Sequence, residues 1–292
     1  MVLAIVLLLT IAASTGVADQ TLDLTPEAWL FLPSVRLDPT PTPYACPSTS
    51  DNQVVRGTAF QYDRDDPVRP AVDHADKNLA LRGYVPNTDP RLLRQLVDYG
   101  SDDPRQPPQF ATLFTPYRVP SLTSFYQAHD WYWAPSPEIG ARGTPITQPQ
   151  VTALGLNTTP GETLRVPVSG YEIGIDVEVL VLFADSDTVA LRYTRDDSSG
   201  APGYTVHVDQ ICTDPNLLAL YNELDRADGP RYVYPNPSYD LPVLAAGQPL
   251  GTARDTKIVV AIVDTGAFQD PRSCNEWWQI RPGYSLGCPS HE

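Results

Sequence analysis

A series of short apolar segments, separated by turn-forming residues, occupies the chain from Val151 onward. Each is about six residues long, the usual length of a strand and too short for most helices. The breaks between them carry Pro-Gly, Asp-Ser-Asp, Asp-Asp-Ser-Ser-Gly and Gly-Gln sequences, which favour tight turns. The segments read VTALGL, ETLRVPV, EVLVLFA, TVALRYT, YTVHVDQ and KIVVAIV. They predict a mainly β fold, an antiparallel sheet or barrel-like domain over residues 151–292, with residues 178–210 as a three-stranded meander.

Capping residues predict two short helices in this fold. The first follows Asp89 and Pro90 and ends at Gly100, with Leu and Val forming an apolar stripe between them. The second follows Asp214 and Pro215, and its leucines and tyrosine form one apolar face.

The N-terminal half is loop-rich and divides into two parts. Residues 19–66 are rich in Pro, Thr and Ser, which favours a flexible arm, although the apolar patch at residues 28–35 is suited to docking as a strand or anchor. Residues 67–150 are turn-rich and aromatic, and we expect them to pack on the β domain.

The first residues indicate export. Val2 begins an apolar run that ends at Ala13, too short to span a bilayer, and the small residues Gly16 and Ala18 then form a plausible cleavage site. We interpret residues 1–18 as a signal peptide of a secreted protein, although no Lys or Arg precedes the apolar run. A buried N-terminal helix is the alternative. No later segment is long and apolar enough to be a membrane span.

The chain has 4 cysteines, and an even number in an exported protein indicates disulfides. Cys274 and Cys288 enclose a short loop, so a local bridge between them is easy, and this would leave Cys46 to pair with Cys212. The pairing stays open at this point. Because no two cysteines have C-x-x-C spacing, the sequence predicts neither a zinc site nor a redox motif.

The acidic charge restricts the partners. The 35 acidic residues outnumber 20 basic ones, and the resulting net charge of −15 repels nucleic acid and anionic membrane surfaces. No cofactor is predicted apart from calcium, for which Asp63, Asp65 and Asp66, or Asp185 and Asp187, offer oxygen ligands at short spacing. Solvated turns are the alternative interpretation of both clusters.

The apolar strand that ends in Asp264-Thr265-Gly266 is similar to a strand used by aspartic and subtilisin-like proteases. An aspartic protease needs a second such carboxylate, and a subtilisin needs a His and a Ser in their own motifs. The sequence contains none of these. We therefore predict that Asp264 opens a turn in which Gly266 adopts a positive φ.

Residues 203–272 resemble the C-terminal half of the lysostaphin-type zinc endopeptidases, which cut peptidoglycan cross-bridges. YTVHV at residues 204–208 matches the family's Y-x-H-[LV] strand, and VLAAGQPLG at residues 243–251 matches its G-Q-x-[IL]-G hairpin. Residues 257–271 stand where an H-x-H strand and a DP-containing turn belong. The C-terminal pattern also resembles a group of exported bacterial proteins of unknown function. It runs from GYTVHV at residues 203–208 through ICTDPNLLALY at residues 211–221 to DTGAFQDPRS at residues 264–273 and the Trp pair at residues 277–278.

The metal ligands of that family are missing. Residues 257–263 contain no histidine, and the early H-x-x-x-D pair is absent. His207 alone occupies a matching position, one that the family uses for catalysis. The resemblance therefore implies either a metal-free relative or a divergent peptidoglycan hydrolase.

Aromatic residues concentrate at positions 124–135 and give the candidate ligand-binding site. Alternation along a strand places Trp131 and Trp133 on one face, and flat indole rings pack well against the C–H surfaces of sugars. The alternative is that both rings plug the end of the β core. Trp277 and Trp278 are more simply a packed C-terminal lid. The full candidate set is Tyr126, His129, Asp130, Trp131, Trp133 and His207.

The sequence thus predicts an exported, non-catalytic binding or structural protein of the cell envelope or extracellular space, with cell-wall glycan as a candidate partner. A divergent lysostaphin-type peptidoglycan hydrolase and a self-assembling surface subunit are the alternatives. No catalytic residue and no metal ligand is assigned, since His207 stands without a partner carboxylate in its motif.

Overall fold

Strands dominate the computed structural model, which describes residues 46, 55–59, 71–97, 107–133, 139–194, 202–227 and 239–279. All of these belong to one compact unit, Pro43–Glu292. Of the residues described, 42% are in strands and 14% in helices, so the mainly β prediction is confirmed. The predicted signal peptide and the apolar patch at residues 28–35 lie outside the described residues.

The secondary structure follows the chain in this order. The strands are β1 Val55–Ala59, β2 Tyr84–Pro86, β3 Leu122–Tyr132, β4 Ala141–Pro145, β5 Ala153–Asn157, β6 Thr163–Arg165, β7 Val179–Ala184, β8 Thr188–Arg192, β9 Tyr204–Asp209, β10 Ile211–Thr213, β11 Tyr239–Leu244, β12 Pro249–Ala253, β13 Lys257–Asp264 and β14 Ala267–Phe268. The α-helices are α1 Leu79–Arg82, α2 Pro215–Ala227 and α3 Cys274–Trp277, and two 3-10 helices span Ala71–Asp73 and Phe110–Leu113.

One large antiparallel sheet organises the molecule. Its strand order is β1-β11-β7-β8-β9-β13-β5-β3-β2, while β14 pairs with β13 and β4 pairs with β3. A smaller sheet has the order β10-β12-β6. Every segment predicted as a strand from Val151 onward forms one, and β7, β8 and β9 make the predicted meander. The sheet is open rather than barrel-like, because its outermost described strands, β1 and β2, do not pair with each other.

The central strands are covered on both faces, which explains their unbroken apolar sequences. On one face, Val206 of β9 and Val260 of β13 join the main core together with Leu217 of α2. On the other face, Val259 and Ala261 of β13 join a smaller cluster with Leu79, Tyr126 and Phe268. We call this the second face, and it carries the candidate site.

One predicted helix forms and the other does not. Helix α2 begins at Pro215 as expected. Residues 90–97, predicted as helical, form turns and an isolated parallel bridge between Val97 and Ser273. The backbone N–H of Val97 donates to the Arg272 carbonyl (3.0 Å), and its carbonyl accepts from Cys274 (2.7 Å). Because these bonds use the backbone groups that a helix would need, tertiary pairing overrides the local helical pattern.

The N-terminal half contributes more strand than the sequence indicated. The segment at residues 67–150, expected to be loops packed on the domain, supplies β2, β3 and β4. Strand β1 lies within residues 19–66, the predicted flexible arm, and pairs with β11 along its whole length. The prediction missed these strands because they lack the unbroken apolar runs of the later segments.

Both cysteines predicted to tie the N-terminal segment to the main body do so. Cys46 bonds Cys212 of β10, at a sequence separation of 166 residues. Cys274 is also disulfide-bonded, and its predicted partner, Cys288, lies outside the described residues. The Trp277 and Trp278 side chains are buried, as a packed lid requires, and their indole N–H groups donate to the carbonyls of Asp270 and Pro271.

In the described part of the chain, no helix combines the length and the apolarity needed to cross a membrane.

We expect Cys46→Ser to lower the free energy of unfolding by about 3–5 kcal/mol, since a bridge closing so long a loop restricts the unfolded chain. Because Cys46 is exposed, the change leaves no cavity that would confuse the result. Urea unfolding of the variant and the unmodified protein measures the difference. Equal unfolding midpoints would contradict a stabilising role for this bridge.

Candidate functional site

An open groove of about 580 Å³ lies on the second face. We call it the Trp133 groove. Its walls come from residues 74–83, which we call the α1 segment, from the end of β3, from the end of β4 and the residues that follow it, and from the β13–β14 hairpin. The residues that line it are Asp76, Arg82, Asp130, Trp131, Trp133, Thr144–Gln148 and Gly266–Phe268.

Trp131 forms part of the groove's base. Its side chain is only 7% exposed, and the indole N–H donates to the Ile139 carbonyl (3.1 Å). Gly140 makes this packing possible, because a Cβ atom at position 140 would lie 2.5 Å from the indole nitrogen. The backbone of Gly140 also has a φ of 91°, which residues with a side chain rarely adopt. The pairing of β3 with β4 shifts register between His129 and Trp131, which re-aims the end of the strand.

Trp133 is the exposed aromatic of the groove. Its side chain is 42% exposed. The ring contacts Trp131 edge-on, at 6.2 Å between centroids, and the buried His74 ring at 4.8 Å. These two contacts hold the indole in place while part of its surface remains open to a ligand.

The buried guanidinium of Arg82 joins the parts of the groove. Its Nε donates to the Ala75 carbonyl (3.1 Å), its Nη1 donates to the His129 carbonyl (3.0 Å), and its Nη2 pairs with the Asp76 carboxylate. The same group lies 5.2 Å from the centre of the Phe268 ring. Arg82 therefore ties the α1 segment to strand β3 and to the β13–β14 hairpin.

Helix α1 is a single turn with well-formed ends. Asn78 caps its start by accepting the backbone N–H of Leu81 (3.0 Å). Gly83 ends it at a φ of 74°. Arg142 of β4 then donates to the carbonyls of Leu81 (2.8 Å) and Ala80 (2.9 Å), which the helix leaves without a partner. These contacts place Arg82 over the sheet.

The β13–β14 hairpin closes the groove on the other side. Thr265 and Gly266 have φ values of 48° and 79°, so the predicted turn after Asp264 is confirmed as a two-residue hairpin loop with positive φ at both positions. The turn brings Phe268 over His207, with the rings stacked at 6.5 Å.

His207 is buried beneath the groove and is neutral at physiological pH. Burial, together with the positive charge of Arg82, lowers its pKa to about 4, and the Asp76 carboxylate opposes this shift. Since Phe268 covers the imidazole ring, His207 supports the base of the groove and does not line it.

The structure separates the six candidate residues into two groups. Asp130, Trp131 and Trp133 line the groove. The other three do not: the Tyr126 hydroxyl lies 2.9 Å from the Lys257 ammonium, the His129 Nδ1 lies 2.8 Å from the Gly143 carbonyl, and His207 is covered by Phe268.

The candidate calcium ligands that can be located serve a turn. One oxygen of Asp185 accepts the backbone N–H groups of Asp187 (2.9 Å) and Thr188 (2.8 Å), while the Asp187 carboxylate pairs with Arg254 (3.1 Å). Asp63, Asp65 and Asp66 lie outside the described residues. Over the described ranges, no three His, Cys, Asp or Glu side chains are grouped as metal ligands.

Sequence reasoning missed the half of the site that comes from distant segments. Asp76, Arg82 and Phe268 had no recognisable pattern of their own. The nearest indication was the pair Asn78 and Gly83, a capping residue and a stop residue that together bracket one helical turn.

Comparisons of this chain with protein-family models, with curated proteins and with solved structures found no match.

His207 makes stability depend on pH. Its folded pKa of about 4 lies below the ordinary 6.5, so only the unfolded chain gains a proton as the pH falls between these values. The neutral imidazole therefore contributes to the free energy of unfolding in full above about pH 6.5, and about 3 kcal/mol of that contribution is lost by about pH 4. The free-energy difference between the unmodified protein and His207→Gln, measured by urea unfolding from pH 7 to pH 4, should shrink by that amount.

Val206→Ala offers the control, because Val206 is buried on the same strand and its side chain does not titrate, so the free-energy difference between this variant and the unmodified protein should stay constant over this pH range. Parallel pH profiles for the unmodified protein and His207→Gln would show that the imidazole is not held neutral.

Proposed function

We propose that the protein is an exported, non-catalytic binding protein that holds glycan in the Trp133 groove. The observation that carries the proposal is the partly exposed Trp133 indole, which stands in one groove with the Asp130 carboxylate. The volume of the groove falls in the range of about 300–1,000 Å³ typical of small-ligand sites.

The lining suits the surface of a sugar. A sugar ring presents apolar C–H faces and a rim of hydroxyl groups, and the indole supplies a flat apolar surface for the former. Asp130, Thr144, Thr147 and Gln148 supply side-chain donors and acceptors for the latter. The indole is also restrained by Trp131 and His74, so little side-chain freedom is lost when a ligand binds.

The position of His207 supports binding rather than hydrolysis. In the lysostaphin-type alternative, this histidine would act on the substrate. Its side chain is 1% exposed, beneath the Phe268 ring and beside the Arg82 guanidinium. A substrate in the groove would touch Phe268 before it reached the imidazole.

We expect Trp133→Ala to weaken binding to insoluble cell-wall polysaccharide by about tenfold, equivalent to about 1.4 kcal/mol, since the stacking surface is removed. The adjacent Tyr132 is 61% exposed but does not line the groove, so Tyr132→Ala is the matched control. Sedimentation with the polysaccharide at several protein concentrations gives the affinities, and thermal unfolding checks that both variants are folded.

The proposal fails if the unmodified protein does not sediment with any cell-wall polysaccharide. It also fails if Tyr132→Ala weakens binding as much as Trp133→Ala does.

A further inference from the structure

We infer that the Trp133 groove selects amino sugars with a free ammonium group over N-acetylated and carboxylated sugars. The inference rests on the proposed function and adds the class of ligand. Its basis is the charge that the groove presents, together with the exposed indole in the same groove.

The cation of the groove is already engaged. Arg82 is the one Lys or Arg among the described groove-lining residues, and it is 6% exposed. Its donors are directed to the carbonyls of Ala75 and His129 and to the Asp76 carboxylate. A carboxylated sugar in the groove would therefore find no positive side chain facing it, so no opposite charge would compensate for the hydration that it loses.

The outward-facing charge of the groove is negative. Asp130 is exposed, and one of its oxygens accepts the backbone N–H of Trp131 (2.9 Å). A carboxylate offers two oxygens with about four lone-pair positions, so Asp130 can also accept a charged hydrogen bond from a ligand. The two groove carboxylates, Asp76 and Asp130, exceed the single guanidinium of Arg82 by one negative charge.

The indole of Trp133 favours the same kind of ligand. The face of an aromatic ring attracts cations, and tryptophan attracts them more strongly than other aromatic residues do. An ammonium group on a sugar ring stacked at Trp133 would be attracted both by the ring face and by the Asp130 carboxylate of the same groove. A carboxylated sugar would meet the electron-rich ring face and the Asp130 carboxylate, both of which disfavour an anion, and the net charge of −15 would add to the repulsion.

Isothermal titration calorimetry at pH 6 tests the selectivity of the groove with three tetrasaccharides. They are a glucosamine tetramer, its N-acetylated form and a galacturonate tetramer. We expect the glucosamine tetramer to bind at least tenfold more tightly than the acetylated one, and the galacturonate tetramer to bind most weakly. In Asp130→Asn the preference for the ammonium form should fall to within about threefold, because the charged acceptor is lost.

Asp255→Asn controls for the overall charge. Asp255 is exposed, lies between β12 and β13 and does not line the groove, so its replacement removes one charge without changing the site. The preference should persist in this variant. Equal losses of preference in the two Asn variants would assign it to the net charge of the chain and overturn the inference.

The outcomes separate this inference from the proposed function. If the acetylated tetramer binds as tightly as the glucosamine tetramer and both are lost in Trp133→Ala, the groove binds glycan but does not select amino sugars. If none of the three tetramers binds, the selectivity is absent, and the sedimentation assay decides whether the groove binds glycan of another kind.

Discussion

A single buried guanidinium holds the second face of the sheet together. Arg82 donates to backbone carbonyls of its own segment and of β3, pairs with Asp76, and lies over the Phe268 ring. Removing one partner of a buried ion pair leaves the other charge uncompensated, which commonly costs about 3–5 kcal/mol. Arg82 thus stabilises the packing of the α1 segment on the sheet, and that packing forms the groove.

The sequence predicted the parts of the fold that depend on local chemistry. The strands β5 to β9 and β13 follow from runs of β-branched and apolar residues between turn-forming residues, and the hairpin after Asp264 follows from Gly266. The helix expected at residues 90–97 failed because Val97 bonds Arg272 and Cys274 instead. That competing pairing joins residues far apart in the chain, so no local pattern could reveal it.

The candidate site was also predicted only in part, because contacts between distant segments complete it. The aromatic sequence at residues 124–135 identified Trp131 and Trp133, and their contact at 6.2 Å agrees with the expected shared face. Alternation along a strand could not distinguish the two, although Trp131 is buried and Trp133 is open. Gly140 and Ile139, which lie beyond the strand, decide the position of Trp131. Tertiary packing, rather than residue type, determines which aromatic ring is left for a ligand.

Hydrogen exchange of Arg82→Gln at neutral pH tests the role of the guanidinium most directly. The backbone N–H groups of Asn78, Arg82 and Gly83 donate to carbonyls within the α1 segment. In the variant, we expect the amides at these three positions to lose at least tenfold protection from exchange, equivalent to about 1.4 kcal/mol. The amides of β8 and β9 should keep theirs, because the main core is untouched. Unchanged protection at positions 78–83, or an equal loss throughout the sheet, would contradict the account.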